Sequence, residues 1–265
     1  MSAPLSLRIT GIGAWAPGVP DWRHLHGILS GKYMPVDDAA RPAGVMLPAA
    51  ERRRAPDGVR LAAEVAAQAA TMAAIDPAAV PCIFASTHGE IGITDYVCET
   101  LARAPLELSP TKFHNSVLNA PAGYWTIATG CTTTSSAVSA HHRSFAAGLL
   151  EAAVFACAED TPVLFASCYV ASSGPLVEMT RTTLAFGMAL VLVPNGSAGA
   201  TIDLALGAAE HEPFADAGLA LPGIAGDNPA NAHALALLQR LAAETTSRLR
   251  LPLSSGLSLD MEITP

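Results

Sequence analysis

The sequence predicts an α/β fold in which a sheet is covered by helices on both faces. Short apolar runs that are typical of buried strands alternate along the chain with longer segments of helical periodicity, which favours parallel strand pairing. Hydrophobic residues make up 51% of the chain and charged residues only 14%, which is more apolar than an ordinary soluble domain. This excess indicates elements that are covered on both sides, or a large surface that is buried against another chain.

Strands are predicted where β-branched and apolar residues run together between turn residues. In chain order these segments are 5–10, 82–86, 132–140, 162–170, 186–193 and 257–263. Gly11 and Gly13 are predicted to form the turn that ends the first strand, and Pro194, Asn195 and Gly196 the turn that ends the fifth. The glycine pair is not a dinucleotide fingerprint, because the third glycine and the helix that should follow are missing.

Helices are predicted where good helix formers place apolar residues three and four positions apart. In chain order these segments are 22–29, 59–74, 115–129, 142–158 and 232–250. Pro77 and Gly130 provide the stops after the second and third helices. Residues 34–58 and 204–230 have neither pattern and are predicted to be loops.

Charge and cysteine usage exclude several classes of protein. A net charge of −8 argues against nucleic-acid binding, and the one basic run, at residues 52–54, is interpreted as a solvated helix start. We predict no membrane span, because no uninterrupted apolar stretch reaches the necessary length, and no signal peptide. The five cysteines are odd in number and lack CxxC spacing, so we expect reduced thiols, a cytoplasmic location, and neither a metal site nor a cofactor.

Four stretches carry a resemblance to a known family. They are ITGIG at 9–13, NAPAG at 119–123 with Thr126 and Ile127 after it, PVLFAS at 162–167 and FGMALVLV at 186–193. In this order they resemble the N-terminal half of a β-ketoacyl synthase, a thiolase-fold enzyme. More narrowly, KFHNS at 112–116, GYWTIATG at 123–130 and SFAAGLLEA at 144–152 resemble short ketosynthase-like proteins of aryl polyene and xanthomonadin gene clusters, which are described as chain-length-factor-like partners.

The resemblance implies a thiolase-like α/β fold with a mixed five-stranded sheet that is covered by helices. It implies a ketosynthase N-terminal-half-like domain at 1–207. Residues 208–265 would be a much reduced second half, a C-terminal remnant that packs on the same domain.

The catalytic set that the resemblance implies is not found in the sequence. The family places its active cysteine at the start of the helix after the third strand, and the ungapped register puts His142 there, or His141 or Arg143 if the count shifts by one. The family's two histidines from the second half have no match, because neither His211 nor His233 lies in a suitable motif. Cys131 is interpreted as a small buried thiol in the turn before the third strand.

The leading hypothesis is therefore a non-catalytic, chain-length-factor-like subunit rather than an enzyme in its own right. It would form a heterodimer with a catalytic ketosynthase in type II polyketide biosynthesis of aryl polyene pigments, and would meet the acyl carrier protein through that complex. The resemblance implies pairing through the third strand. Its predicted interface residues are Thr132, Thr133, Thr134, Ser135, Ser136, Ala137, Val138, Ser139 and Ala140. The predicted pocket residues are Phe113, Tyr124, Trp125, His141 and His142.

Two alternatives stay open at the level of the sequence. In the first, the chain is an active acyltransferase or malonyl decarboxylase that uses Cys131 with His142 or His141 as its base. In the second, it is a scaffold that binds a carrier protein without a ketosynthase partner, although an acidic carrier normally requires a basic patch. His141 and His142 follow each other directly, so they cannot present both rings to one metal ion from a helix.

Overall fold

A computed structural model of the protein describes residues 4–34, 41–172, 174–180, 182–196, 198–208 and 229–265. Its strands are β1 (Leu5–Trp15), β2 (Cys82–Ala85), β3 (Ser135–Val138), β4 (Val163–Tyr169), β5 (Phe186–Pro194), β6 (Ala200–Ala208), β7 (Ser247–Pro252) and β8 (Leu257–Thr264). Its α-helices are α1 (Trp22–Leu29), α2 (Ala49–Arg54), α3 (Asp57–Met72), α4 (Ile91–Arg103), α5 (Pro110–His114), α6 (Ala120–Thr129), α7 (Ser144–Glu159), α8 (Val177–Thr180) and α9 (Pro229–Ala242).

The described strands form one mixed sheet in the order β3-β2-β4-β5-β1-β6-β8-β7. β2 pairs in parallel with β3 and β4, and the remaining neighbours are antiparallel. The α/β fold with a mixed sheet is confirmed, and the five strands predicted before residue 200 are consecutive neighbours. The count of five was too small, because β6, β8 and β7 extend the same sheet.

Helices cover both faces of the sheet. On one face α3 and α6 pack against side chains such as Leu164 and Val191, and on the other α1, α7 and α9 pack against side chains such as Phe165 and Leu190. Every residue of β4 is buried, as expected for a strand that is covered on both sides. Within the described ranges, no helix has the length and apolar composition needed to cross a membrane.

The first strand is longer than predicted, because Gly11 and Gly13 lie inside β1 rather than in a turn. A Cβ atom on Gly13 would lie 2.0 Å from the Val65 carbonyl oxygen of α3, and one on Gly11 would lie 2.1 Å from that of Ala69. The two glycines therefore let α3 pack directly on the strand. β1 pairs with β6 only at residues 5–9. Further along the strand, the Ala14 amide donates to Gln68 Oε1 of α3 at 3.1 Å.

Other predicted boundaries also need correction. α2 lies within the predicted loop at 34–58, α4 was not predicted, and the helix predicted at 115–129 begins only at Ala120. The helix predicted at 232–250 ends at Ala242, and β7 follows, with Leu249 and Leu251 pointing inward on alternate positions. β6 takes the first residues of the predicted loop at 204–230, and residues 209–228 lie outside the described part of the chain.

The described residues after 207 join the structure that precedes them. α9, β7 and β8 contribute Leu235, Leu251 and Leu259 to the same core as Phe145 and Phe165. The division of the chain at residue 207 stays a prediction.

Candidate functional site

The start of α7 is the position at which the family resemblance places a nucleophile. α7 begins at Ser144, two residues later than predicted, and His141 and His142 form the connection from β3. His141 has a left-handed backbone with φ of +52°, a conformation that is uncommon for a side chain of this kind. Thr87 Oγ1 and Ser144 Oγ donate to the His141 carbonyl oxygen at 2.8 and 2.6 Å and hold this connection in place.

Four histidines gather around this connection. The ring centroids of His141 and His142 are 3.7 Å apart, and those of His88 and His141 are 6.1 Å apart. His233, at the start of α9, is buried, and His142 is near enough to contribute to the lowering of its pKa. The cluster thus joins the loop after β2, the start of α7 and the start of α9.

Two of these histidines have lowered pKa values. Burial lowers the pKa of His88, and the neighbouring His141 and His142 lower it further. Burial lowers the pKa of His233 to about 4, with a smaller contribution from His142. His88 and His233 are therefore neutral at pH 7. Each imidazole can donate one hydrogen bond and accept another, but it supplies no positive charge.

Sequence reasoning found His141 and His142 but missed the other two members of the cluster. His88 carried a usable signal, because it follows a strand that pairs in parallel with the third strand, and the carboxyl ends of parallel strands meet at one edge. His233 carried none, because it is brought here by the packing of α9 against α7.

The cluster has no competent nucleophile at the helix start. Ser144 is fully buried, and its Oγ donates to the His141 carbonyl oxygen and accepts from the Ala140 amide at 2.9 Å, so both of these bonds hold the connection from β3 to α7. The enzymes that the sequence resembles carry the acyl chain on a cysteine thiol, and an imidazole does not usually take that role. Among the residues that the structure describes, no group of three or more His, Cys, Asp or Glu side chains has the geometry to hold a metal ion.

Cys131 lies at the opposite end of the edge strand. Its thiol is buried, 3.6 Å from the Val80 carbonyl oxygen and 3.1 Å from Thr133 Oγ1. β3 lies between this thiol and His142, and four strand residues span roughly 13 Å. A thiol–imidazole pair of Cys131 and His142 is therefore not formed, and the acyltransferase alternative is not favoured.

We expect no acyl adduct on Cys131. Incubation of the chain with malonyl- or acyl-loaded carrier protein, followed by peptide mass spectrometry, should find Cys131 unmodified, because the thiol is buried and has no base. The exposed thiol of Cys98 is the internal control, and it should react with iodoacetamide at least about tenfold faster than Cys131. An adduct on Cys131 that disappears in Cys131→Ala would contradict this assignment.

The three aromatic pocket candidates have different surroundings. Trp125 is fully buried on the α3 side of the sheet, with its ring 6.5 Å from that of Phe84, and Phe113 is exposed. Tyr124 donates from its hydroxyl to Asn115 Oδ1 at 3.0 Å and lines a cavity of about 170 Å³ between α2, α5 and α6. The structure thus brings none of the three to the histidine cluster in this chain.

β3 is an open edge of the sheet. Only 135–138 of the predicted 132–140 are strand, and residues 132–135 are exposed. The Cys82 and Ser86 amides donate to the Thr134 and Val138 carbonyls at 3.0 and 3.1 Å, so the even-numbered residues bond to β2. By the alternation of a parallel ladder, the amides and carbonyls of Ser135 and Ala137 point to the open side.

Glu90 directly precedes α4 in the chain, and its buried carboxylate lies at the start of α3. Its Oε1 accepts from the Val59 amide at 3.1 Å, one of the helix amides that lack an internal partner. Burial raises the pKa of Glu90 to about 7; the amides of Gly58 and Val59 oppose this rise, and Asp57 adds to it. The charged form is therefore tolerated poorly in the folded state.

We expect Glu90→Gln to stabilise the fold at neutral and alkaline pH. The folded-state pKa is raised, so wild-type stability should fall, relative to the variant, as pH rises from 4.5 to 7, and the difference should then stay constant. The upper limit of that difference is about 3 kcal/mol, since glutamine keeps the acceptor for Val59. Urea unfolding of both proteins at several pH values measures it, and parallel profiles would show that Glu90 titrates normally.

Comparison with known proteins places the chain in the family of the β-ketoacyl synthase N-terminal domain. The family model for the N-terminal domain of beta-ketoacyl synthases matches residues 29–253. Among solved structures, one chain of the complex between the ketosynthase ApeO and its chain length factor ApeC from Xenorhabdus doucetiae is 23% identical, with a TM-score of 0.72. The match covers 97% of this chain and 99% of that one. No curated protein sequence matches the chain.

Two further solved structures share the fold over nearly the whole of both chains. The AntDE:AntF complex of a type II polyketide synthase acyl-carrier protein with its ketosynthase bound to the hexaketide gives 12% identity and a TM-score of 0.76, with 99% of both chains covered. The ishigamide ketosynthase/chain length factor gives 14% identity and a TM-score of 0.72, again with 99% of both chains covered. At these identities the likeness establishes the thiolase-like fold.

Proposed function

We propose, on the premise that this chain belongs to the β-ketoacyl synthase N-terminal domain family, that it is a non-catalytic, chain-length-factor-like subunit. It pairs with a catalytic ketosynthase, which condenses malonyl units from an acyl carrier protein onto an aryl-primed polyene. The free thiols of all five cysteines suit a cytoplasmic location for this pair.

The observation that carries this proposal is the start of α7. Two histidines and the buried Ser144, whose hydroxyl holds their connection, stand where the family has its thiol. Cys131 is on the far side of β3. The fold is retained while the nucleophile is not, which favours a role in assembly over a role in bond making. The solved structures that resemble the chain include ketosynthases together with their chain length factors.

The open edge of β3 supplies the pairing surface in this proposal. The amides and carbonyls of Ser135 and Ala137 point away from β2. An edge with such unpaired groups can form hydrogen bonds with a strand of another chain. In this proposal His141 and His142 contribute to the shape of the shared pocket, and Tyr124 acts from the separate cavity between α2, α5 and α6. Phe113 is exposed on α5, where a partner could contact it, and Trp125 supports α6 from within the core.

Co-expression with the ketosynthase of the same gene cluster tests the proposal. Size exclusion and native mass spectrometry should find an equimolar complex of the two chains, and the purified complex should consume malonyl-loaded carrier protein. This chain alone should neither decarboxylate malonyl groups nor form a thioester. Separate monomers or homodimers of the two proteins would rule the proposal out.

A further inference from the structure

An apolar groove of about 550 Å³ lies on the outer side of α7. We refer to it as the α7 groove, and the residues that define it are Leu150, Val154, Phe155, Leu206, Leu253 and Leu257. It brings together the second half of α7, the end of β6 and the turn between β7 and β8. Glu151 is its charged member.

The composition of α7 indicates that this groove is covered in the working protein. Glu151 and Glu159 are the only charged residues of the sixteen-residue helix, and apolar residues occupy every side of it. A helix that is apolar all round is normally buried all round. One side of α7 packs on the sheet, but Val154 on its outer side is 48% exposed. Next to it, Leu206 of β6 and Leu257 of β8 are 57% and 46% exposed. Together they form an exposed apolar patch of the kind that marks an interaction surface.

The groove is continuous with the edge strand. Ser136 Oγ of β3 donates to Glu151 Oε1 at 2.6 Å, which ties the middle of α7 to the strand. A stable interface buries about 800 Å² on each partner, more than a strand of four residues can supply. A partner that pairs with β3 therefore needs a second surface, and the α7 groove adjoins the strand through this hydrogen bond.

We infer that the α7 groove is a second docking surface for the catalytic ketosynthase subunit, and that Glu151 receives a basic side chain from it. This inference rests on the proposed function. A second copy of this chain is the less suitable occupant, because it brings another net charge of −8 and another Glu151, and like charges oppose association. The Ser136 hydroxyl orients the exposed Glu151 carboxylate at the rim of the groove. A partner that covers the groove removes water from this carboxylate, and an Arg or Lys of the partner can then form a charge-assisted hydrogen bond with it.

The test uses the co-purified complex, so that no isolated chain is required. Val154→Asp and Leu206→Asp should each weaken the complex at least about tenfold, and Glu151→Lys by a similar factor, measured by native mass spectrometry on dilution. Val45→Asp is the matched control, because Val45 is 68% exposed but lies beside α3 on the opposite face of the sheet. It should leave the dissociation constant unchanged. All four positions are exposed, so the circular dichroism of each variant should match the wild type.

The outcomes separate this inference from the function on which it rests. If the wild-type chain forms no complex with the ketosynthase, the proposed function fails. If the complex forms and is broken by a change in β3 but not by the three groove changes, the groove inference alone fails. It also fails if the groove changes leave the heterodimer intact and alter only self-association of this chain.

Discussion

Replacing Ala137 by proline should abolish pairing with the ketosynthase, with a loss of at least about 100-fold in affinity. The amide of Ala137 points to the open side of β3, so proline removes a donor from the ladder that continues into the partner and places its ring in the way of the incoming strand. The ladder to β2 uses the neighbouring even-numbered residues. The fold of the chain itself should therefore survive.

Ala137→Ser is the matched control, because it keeps the amide and adds a side chain of the kind already present at Ser135 and Ser136. Affinities are measured on the co-expressed pairs by dilution, with circular dichroism to verify that each variant is folded. Equal affinities for the proline and serine variants would show that β3 does not pair with the partner.

Replacing Gly13 by alanine should destabilise the fold by about 3 kcal/mol or more, because the packing at this position leaves no room for a methyl group. The added Cβ would lie 2.0 Å from the Val65 carbonyl oxygen, so α3 would have to move away from β1. That movement separates core side chains along the length of the helix, including Leu61 and Ala69.

Gly123→Ala is the control for this substitution. Gly123 lies within α6, and a Cβ there would meet no atom within 4 Å, so alanine should be neutral or stabilise by up to about 1 kcal/mol. Urea unfolding of the two variants and the wild type measures the difference. A Gly13→Ala protein within 1 kcal/mol of wild type, on the scale typical of surface changes, would mean that α3 is not held against the strand as described.

The central sheet was predictable from the sequence, because its strands are apolar on both sides and stand out between helical segments. The strands β2, β4 and β5 were located to within two residues at each end. The end of β1 was not, because Gly11 and Gly13 have the composition of a turn and their true role is close contact with α3. β7 was mistaken for helix, because no glycine or proline separates it from α9, although the spacing of Leu249 and Leu251 by two is that of a strand.

The candidate site was only half predictable. Local register placed His141 and His142 at the start of α7, and the structure has them in the connection that leads directly into this helix. His88 and His233 reach the same place from distant parts of the chain, and no local pattern encodes such packing. The separation of Cys131 from His142 was predictable, because the sequence places these residues before and after the third strand, and the structure keeps β3 between them.

The central claim is that this chain is a non-catalytic subunit. The most direct test is to measure condensation by the assembled pair after both candidate reactive residues of this chain, Cys131 and His142, have been replaced. In a complex that carries Cys131→Ala and His142→Gln in this chain only, we expect polyene formation to continue within about threefold of the wild-type rate, and to stop when this chain is left out. Product length is free to change, since His142 is a pocket residue in the proposal. Loss of all product from an intact complex that carries the double variant would contradict the account and assign the chemistry to this chain.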